Sequence, residues 1–266
     1  MKWFGGAIVA LILAAAVFAG PLSPFDPDAL DVMHRFDPPG ALHWLGTDQL
    51  GRDLFSRLLY GAQVAMTVSA NAILLALAVG AAAGILAGWL GGWWERVILV
   101  LFDIVAAFPS LILALAIVAV FGPSNGYLVG IVALTLAPQF GRVARAQTRG
   151  LVQAPFIEAE RILGAGPWRI MAHHVLPNIA GPLVVLAAME IPTAITIEAG
   201  LSFIGLGIRP PLASWGTLIY DGYAYLSDSA WPVLLSSLAL AVATLGFTLF
   251  GEALRDWADP RAVGRS

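Results

Sequence analysis

Apolar and polar positions alternate on a coarse scale along this chain, in long apolar runs separated by polar stretches. The runs have the length of membrane-spanning helices. Trp3 to Gly20 is apolar and, at roughly 18 residues, sits at the lower edge of what a helix needs to cross a bilayer. Val17-Phe18-Ala19 at its end also resembles a small-residue cleavage site, so a signal peptide is the alternative to a first span. Ala62 to Leu90 is the second run, Val97 to Phe121 the third, Tyr127 to Ala146 the fourth, Gly181 to Gly207 the fifth and Trp231 to Leu254 the last. Gly122 to Gly126 is the turn between the third and fourth. About six spans follow, with both termini on one side.

Three polar interruptions differ in kind. Pro21 to Tyr60 is rich in Pro and Asp, which precludes a regular helix before Gly46. Thr47 and Asp48 then offer a helix start, and Leu50, Leu54, Phe55, Leu58 and Tyr60 give a one-sided apolar stripe. This pattern predicts a short amphipathic helix at the membrane surface. The division that results is residues 1–60, a first helix with an external segment, and residues 61–266, the core of the bundle. A second loop covers Ile208 to Ala230. The third interruption, Glu158 to Asn178, spends more than twenty residues on a helix, a break at Gly164-Ala165-Gly166-Pro167 and a second helix expected to end before Pro177. Two short helices at an angle make a knob that can seat in a cleft of a soluble partner.

Composition supports the same class. With 59% hydrophobic and 12% charged residues and a mean hydropathy of +0.83, the chain cannot clothe a globule in water, and lipid must be its solvent. A net charge of −3 gives no nucleic-acid partner, and the absence of Cys excludes disulfide and thiol chemistry. Lys2, Arg96, Arg142, Arg145, Arg149, Arg161, Arg169, Arg255, Arg261 and Arg265 fall on the side of the termini and the knob. Only Arg35, Arg52, Arg57 and Arg209 fall on the other. The positive-inside rule therefore places the knob and both termini in the cytoplasm and the Pro/Asp insert outside.

Individual residues carry competing readings. Gly80, Gly84 and Gly88 share one helix face, which lets another helix approach closely. Asp103, Glu190 and Glu198 are intramembrane acids that need a cavity or a partner. Arg96, seven residues before Asp103 on the same face, is a candidate structural partner for it, whereas Glu190 and Glu198 as a proton relay would make the chain a stand-alone proton-coupled transporter. Glu158 is either a carboxylate at a helix N-terminus or a contact to a partner. His173 and His174 point apart on a helix and are read as interface packing.

Glu158-Ala159, Gly164 and Leu176-Pro177 fall at the spacing of the EAA signature of permease subunits of binding-protein-dependent ABC importers. Glu160 and His174 depart from that general pattern, which has Ala and Ile there. His-hydrophobe-Leu-Pro-Asn resembles the variant of the dipeptide, oligopeptide and nickel branch. Leu45 to Asp53 with Ser56-Arg57, Ala107-Phe108-Pro109-Ser110, Leu201 to Gly207, Pro210-Pro211 and Ser214-Trp215-Gly216 are similar to that branch too, in order, and in particular to its second permease subunit.

The resemblance implies an all-α, type I importer fold in the cell inner membrane, forming half of a path for peptides, nickel or a related solute. The partners it implies are a homologous second permease, two cytoplasmic ATPase subunits that hold ATP and magnesium, an external binding protein and membrane lipid. This chain itself has no phosphate-binding loop and takes no cofactor. Under the resemblance Glu158, Ala159, Gly164, Trp168, His174, Leu176 and Pro177, within coupling helices over 158–178, face the ATPase. Glu198, Phe203, Gly205 and Gly207 belong to the pathway or gate, and Asp48, Arg52, Asp53 and Arg57 dock an external partner.

Overall fold

The computed structural model describes residues 2–121, 125–209 and 211–258. The turn expected at Gly122, Pro123 and Ser124, together with Pro210, Arg261, Arg265 and the side chain of Lys2, lies outside the described residues. Every regular element among the described residues is helical: α1 (Lys2–Val17), α2 (Ala19–Leu22), α3 (Leu54–Leu90), α4 (Gly92–Ala107), α5 (Ser110–Phe121), α6 (Asn125–Leu151), α7 (Pro155–Ile162), α8 (Pro167–Ile170), α9 (Leu176–Phe203), α10 (Trp215–Tyr223) and α11 (Trp231–Ala258). Four helices have the length and apolarity of a span, over Leu54–Leu90, Gly126–Leu151, Pro167–Phe203 and Trp231–Ala258. The expected six thus become four full spans, one broken span and the shorter α1, which at 1.5 Å per residue is about 24 Å long.

The broken span is the third. α4 and α5 meet at 93°, because Pro109 has no N–H to continue the helix and Phe108 before it is pushed to extended backbone at ψ 126°. The expected surface helix after Asp48 is not separate. Helix α3 starts at Leu54 and runs unbroken past Tyr60, so the division drawn at residue 60 falls inside it. Its cap is Asp53, whose side chain accepts from the Ser56 backbone N–H at 2.7 Å.

The helix expected to stop before Pro177 continues into the fifth span. Met171 to Val175 form a π-helical turn in which the Leu176 N–H reaches back five residues to the Met171 carbonyl. This wider turn makes room for the Pro177 ring, which would clash with the carbonyl four residues earlier in a regular α-helix.

The spine of the bundle is the pairing of α3 with α6, which run in parallel. Cβ atoms added at Gly80, Gly84 and Gly88 would strike the carbonyl oxygens of Ala137, Gly141 and Arg145 in turn. The glycine stripe therefore does what its spacing predicts and lets two backbones touch. Around this contact Ala76, Ile85, Phe140, Ala144, Ile179 and Leu183 form the larger core. A second core joins α1 to α11, α3 and α10 through Val9, Ile12, Ala65, Trp215 and Phe247.

Gly84→Val should destabilise the protein by about 1–3 kcal/mol through overpacking against α6. Gly130→Ala, where an added Cβ meets nothing within 4 Å, should leave the detergent melting temperature close to wild type.

Candidate functional site

The polar groups gather at the two ends of the spine. At the end where α3 begins, Leu45 to Asp53 is a folding motif in its own right. Asp48 Oδ1 accepts from the backbone N–H groups of Leu50 at 2.8 Å and Arg52 at 3.0 Å, closing a tight loop, and Asp48 Oδ2 receives Arg52 Nε at 2.7 Å. Gly46 and Gly51 have φ of +77° and +74°, and a Cβ on either would strike the carbonyl of Asp37 or Asp31. Asp53 Oδ1 pairs with His43 Nδ1 at 2.9 Å. Arg57 is 2% exposed, and its Nη1 donates to the Pro27 carbonyl at 2.9 Å while its Nε lies 3.6 Å from Asp48.

Asp48, Arg52, Asp53 and Arg57 are therefore buried: Asp48 lies between the two arginines and Asp53 holds His43 and the Ser56 hydroxyl, so these side chains shape the segment expected to dock an external partner. The segment they hold is packed onto the second loop. Arg52 reaches Asp221 of α10 at 3.4 Å, Trp215 Nε1 donates to the Leu58 carbonyl at 3.1 Å, and Trp231 Nε1 donates to the Leu45 carbonyl at 2.8 Å. On the cap's surface the hydrogen bond that the His34 imidazole donates to Asp31 holds the imidazole above its ordinary pKa and the Asp31 carboxyl below its own.

Below the cap, Leu201 to Gly207 ends α9. Gly205, at φ +79°, is the left-handed residue of a Schellman cap, with the Leu206 N–H donating to the Leu201 carbonyl at 2.9 Å and the Gly205 N–H to that of Ser202 at 3.1 Å. Gly207 has no room for a Cβ over Ser202. The Ser202 hydroxyl donates to Glu198 Oε1 at 2.7 Å and accepts the Ile208 N–H at 3.0 Å. Glu198 is fully buried and thus ties down this turn. Phe203 stacks edge-on against Tyr220 and Tyr223 of α10. Glu190 is half-buried farther down α9, and its Oε2 is buried without a hydrogen-bond partner.

At the opposite end of the spine α7 and α8 form the knob. Ile157 and Ile170 are fully buried and anchor it, each contributing about 1.5–3 kcal/mol by leaving water. Gly164, at φ +81°, ends α7 in a second Schellman cap, with Ala165 N–H donating to the Glu160 carbonyl at 3.0 Å. Pro167 then opens α8 at a position where its missing N–H costs nothing. The outward face carries Ile162 at 80%, Leu163 at 81% and Trp168 at 72% exposure. Beside it a cleft is lined by Val152, Gln153, Glu158, Arg161 and Ile162.

The guanidinium of Arg161 lies 4.8 Å from the Trp89 ring centre at the end of α3. Glu160 and His174, the two departures from the signature, face each other with Oε1 and Nε2 3.5 Å apart.

Two further ion pairs escaped sequence reading. Glu95 on α4 pairs with Arg145 of α6 and lies 3.9 Å from Arg149. Asp103 pairs with Arg142 of α6 at 2.8 Å, which replaces the expected partner Arg96. Both join residues about forty or fifty positions apart, a distance over which no helical periodicity operates. Ile162 and Leu163 were equally hard to find, since an apolar residue at a helix end reads as core until its burial is known.

Removing the shared member of the buried cap network, as in Asp48→Ala, should cost about 3–5 kcal/mol by stranding the buried Arg52 and Arg57 guanidinium groups. Amide exchange should then quicken across residues 25–53, while α6 stays protected.

The chain matches the family model for the inner membrane component of binding-protein-dependent transport systems over residues 80–264. It is 37% identical to a probable D,D-dipeptide transport system permease protein of Escherichia coli K12 over 97% of this chain and 87% of that protein. It is 38% identical to a glutathione transport system permease protein of another Escherichia coli strain, over 96% and 85%. A dipeptide transport system permease protein of Alkalihalophilus pseudofirmus is 37% identical, over 96% and 84%. Among solved structures, a chain of the MetNI methionine ABC transporter in inward-facing form superposes with a TM-score of 0.61 at 19% identity, covering 76% of this chain and 96% of that one, which establishes the shared permease fold.

Membership in this family makes the chain a multi-pass inner-membrane permease subunit of an ABC transporter that works with ATPase subunits, is not itself catalytic and carries no cofactor. The chain belongs to the family of inner membrane components of binding-protein-dependent transport systems.

Proposed function

We propose that this chain forms half of the pathway of an ATP-driven importer of dipeptides or similarly small peptides, glutathione-like solutes among them. The substrate class rests on the relatives whose names state it. The observation that carries the mechanism is the knob: a two-helix projection with buried anchors and an exposed apolar crown at Ile162, Leu163 and Trp168. A crown of that kind costs free energy in water and gains it when a partner's cleft covers it. Glu158 and Arg161 at the side cleft supply polar contacts with direction. Glu158, Ala159, Gly164, Trp168, His174, Leu176 and Pro177 then act together as the coupling segment, with the ATPase pair as its partner.

Under this reading the knob and both termini are cytoplasmic, in line with the excess of Arg on that side. The buried cap lies outside and offers a folded surface, made by the insert and α10 jointly, to the binding protein. A homologous second permease completes the pathway. Phe203, Gly205 and Gly207 shape the outer end of α9 beside it, with Glu198 as the tie beneath them. ATP-driven closure of the ATPase pair pulls the knobs together and rocks the spans between inward- and outward-facing states.

The test is ATP-dependent uptake by the reconstituted complex. Replacing Ile162, Leu163 and Trp168 together with Ser should abolish uptake and co-purification of the ATPase while leaving the chain in the membrane. Retained ATPase binding by the triple variant would remove the docking role from the knob. Gly164→Ala should have the same direction of effect, because Ala is strained at a φ of +81°. The Glu160 and His174 pair should show a double-mutant coupling of about 0.2–1 kcal/mol in ATPase affinity, as expected for a half-exposed contact.

A further inference from the structure

The ion pair between Asp103 and Arg142 is in the wrong place for a structural pair. Its side chains are 67% and 46% exposed, although both residues lie in helices of the membrane bundle. Along α4, Asp103 is nine residues past Trp94, or about 13 Å at 1.5 Å per residue. Exposed apolar residues, Val100, Leu101 and Ile104, surround it on its own helix. Turned toward acyl chains, such a pair would cost several kcal/mol that nothing nearby offsets. Glu95, which meets Arg145 and Arg149 on these same two helices, is shielded by contrast, its carboxylate being 11% exposed.

Two neighbouring features are polar as well. On α6, Gln139 lies one turn before Arg142, on the same face and exposed. On α4, the 93° break at Phe108 and Pro109 comes five residues after Asp103. A break of that kind frees backbone carbonyls, and in a membrane these are tolerated only where protein or water covers them.

We infer that Asp103, Arg142 and Gln139 line the water-filled pathway between this chain and its companion permease, and that the pair offers both signs of charge to a zwitterionic peptide in transit. The ammonium of such a solute finds the Asp103 carboxylate, and its carboxylate finds the Arg142 guanidinium, each replacing the internal pair. The inference rests on the permease reading above and adds a site to it.

The natural absence of Cys makes the test direct. Gln139→Cys is introduced into the full complex in vesicles and exposed to a membrane-impermeant sulfonated thiol reagent, with labelling followed on this chain. Leu238→Cys, on the exposed apolar stripe of α11 with Leu234 and Leu245, is the comparison. Gln139→Cys should label, at a rate that changes several-fold between the nucleotide-free and ATP–vanadate states, and Leu238→Cys should not. Absence of labelling at position 139 in a complex that still shows ATP-dependent uptake would overturn the inference. Loss of uptake by the unaltered complex would instead overturn the permease reading.

A second readout concerns the carboxylate: Arg142→Gln should lower uptake of a dipeptide with a free C-terminal carboxylate several-fold more than uptake of its C-terminal amide, whereas an equal loss for both would reduce the pair to a structural role.

Discussion

Two backbones in contact hold this molecule together. Where α3 meets α6, glycine removes the side chains that would keep the helices apart, and the carbonyls of one helix lie against the Cα atoms of the other. Between lipid-embedded helices there is no hydrophobic drive of the kind that works in water, so close packing over a long seam is the main source of rigidity. α3 starts under the cap and ends beside the knob, so the seam spans the bundle. At one end Asp53 and Arg57 of the α3 start organise the cap. At the other, Trp89 at the α3 end receives Arg161 of the knob. What is built at either end is therefore carried by one stiff body.

The ends themselves use buried polarity differently. In the cap, five charged groups are folded onto each other and onto backbone carbonyls, an arrangement that fixes a loop too rich in proline for regular structure. Such a network adds little net stability over an apolar core but does not tolerate loss of one partner. In the knob the charged groups lie at the periphery, and buried Ile157 and Ile170 hold it in place. The apolar crown of the knob is left exposed among the described residues. Under the proposed function, this combination of a stiff anchor and an uncovered face is what receiving force from a soluble ATPase requires.

Much of this was legible in the sequence, for reasons that can be named. The apolar runs are long, the four-residue glycine spacing maps directly onto one helix face, and Gly164 with Pro167 marks a break by backbone chemistry alone. Other features depend on partners far away in the chain. Asp48, Arg52, Asp53 and Arg57 read as surface charge because nothing local says that Asp221, His43 and the Pro27 carbonyl close over them. Asp103 looked to Arg96 on its own helix and found Arg142 on another. Pro177 read as a stop because a proline usually is one, and only the π-helical turn before it lets α9 continue. The broken third span was present as Pro109, but the size of the bend depends on how α5 packs against α6 and α9.

The central claim is that knob and spine move as one body during transport. It is tested most directly by electron–electron distance measurements between spin labels at Arg169→Cys, exposed on the knob outside its apolar crown, and Gln63→Cys near the start of α3, in a chain with no native Cys to interfere. In the complete complex, the account predicts one distance that is the same without nucleotide and with ATP bound, while uptake proceeds. A distance distribution that shifts by several ångström, on the order of a helical turn, would show the knob swinging on the bundle and would contradict it.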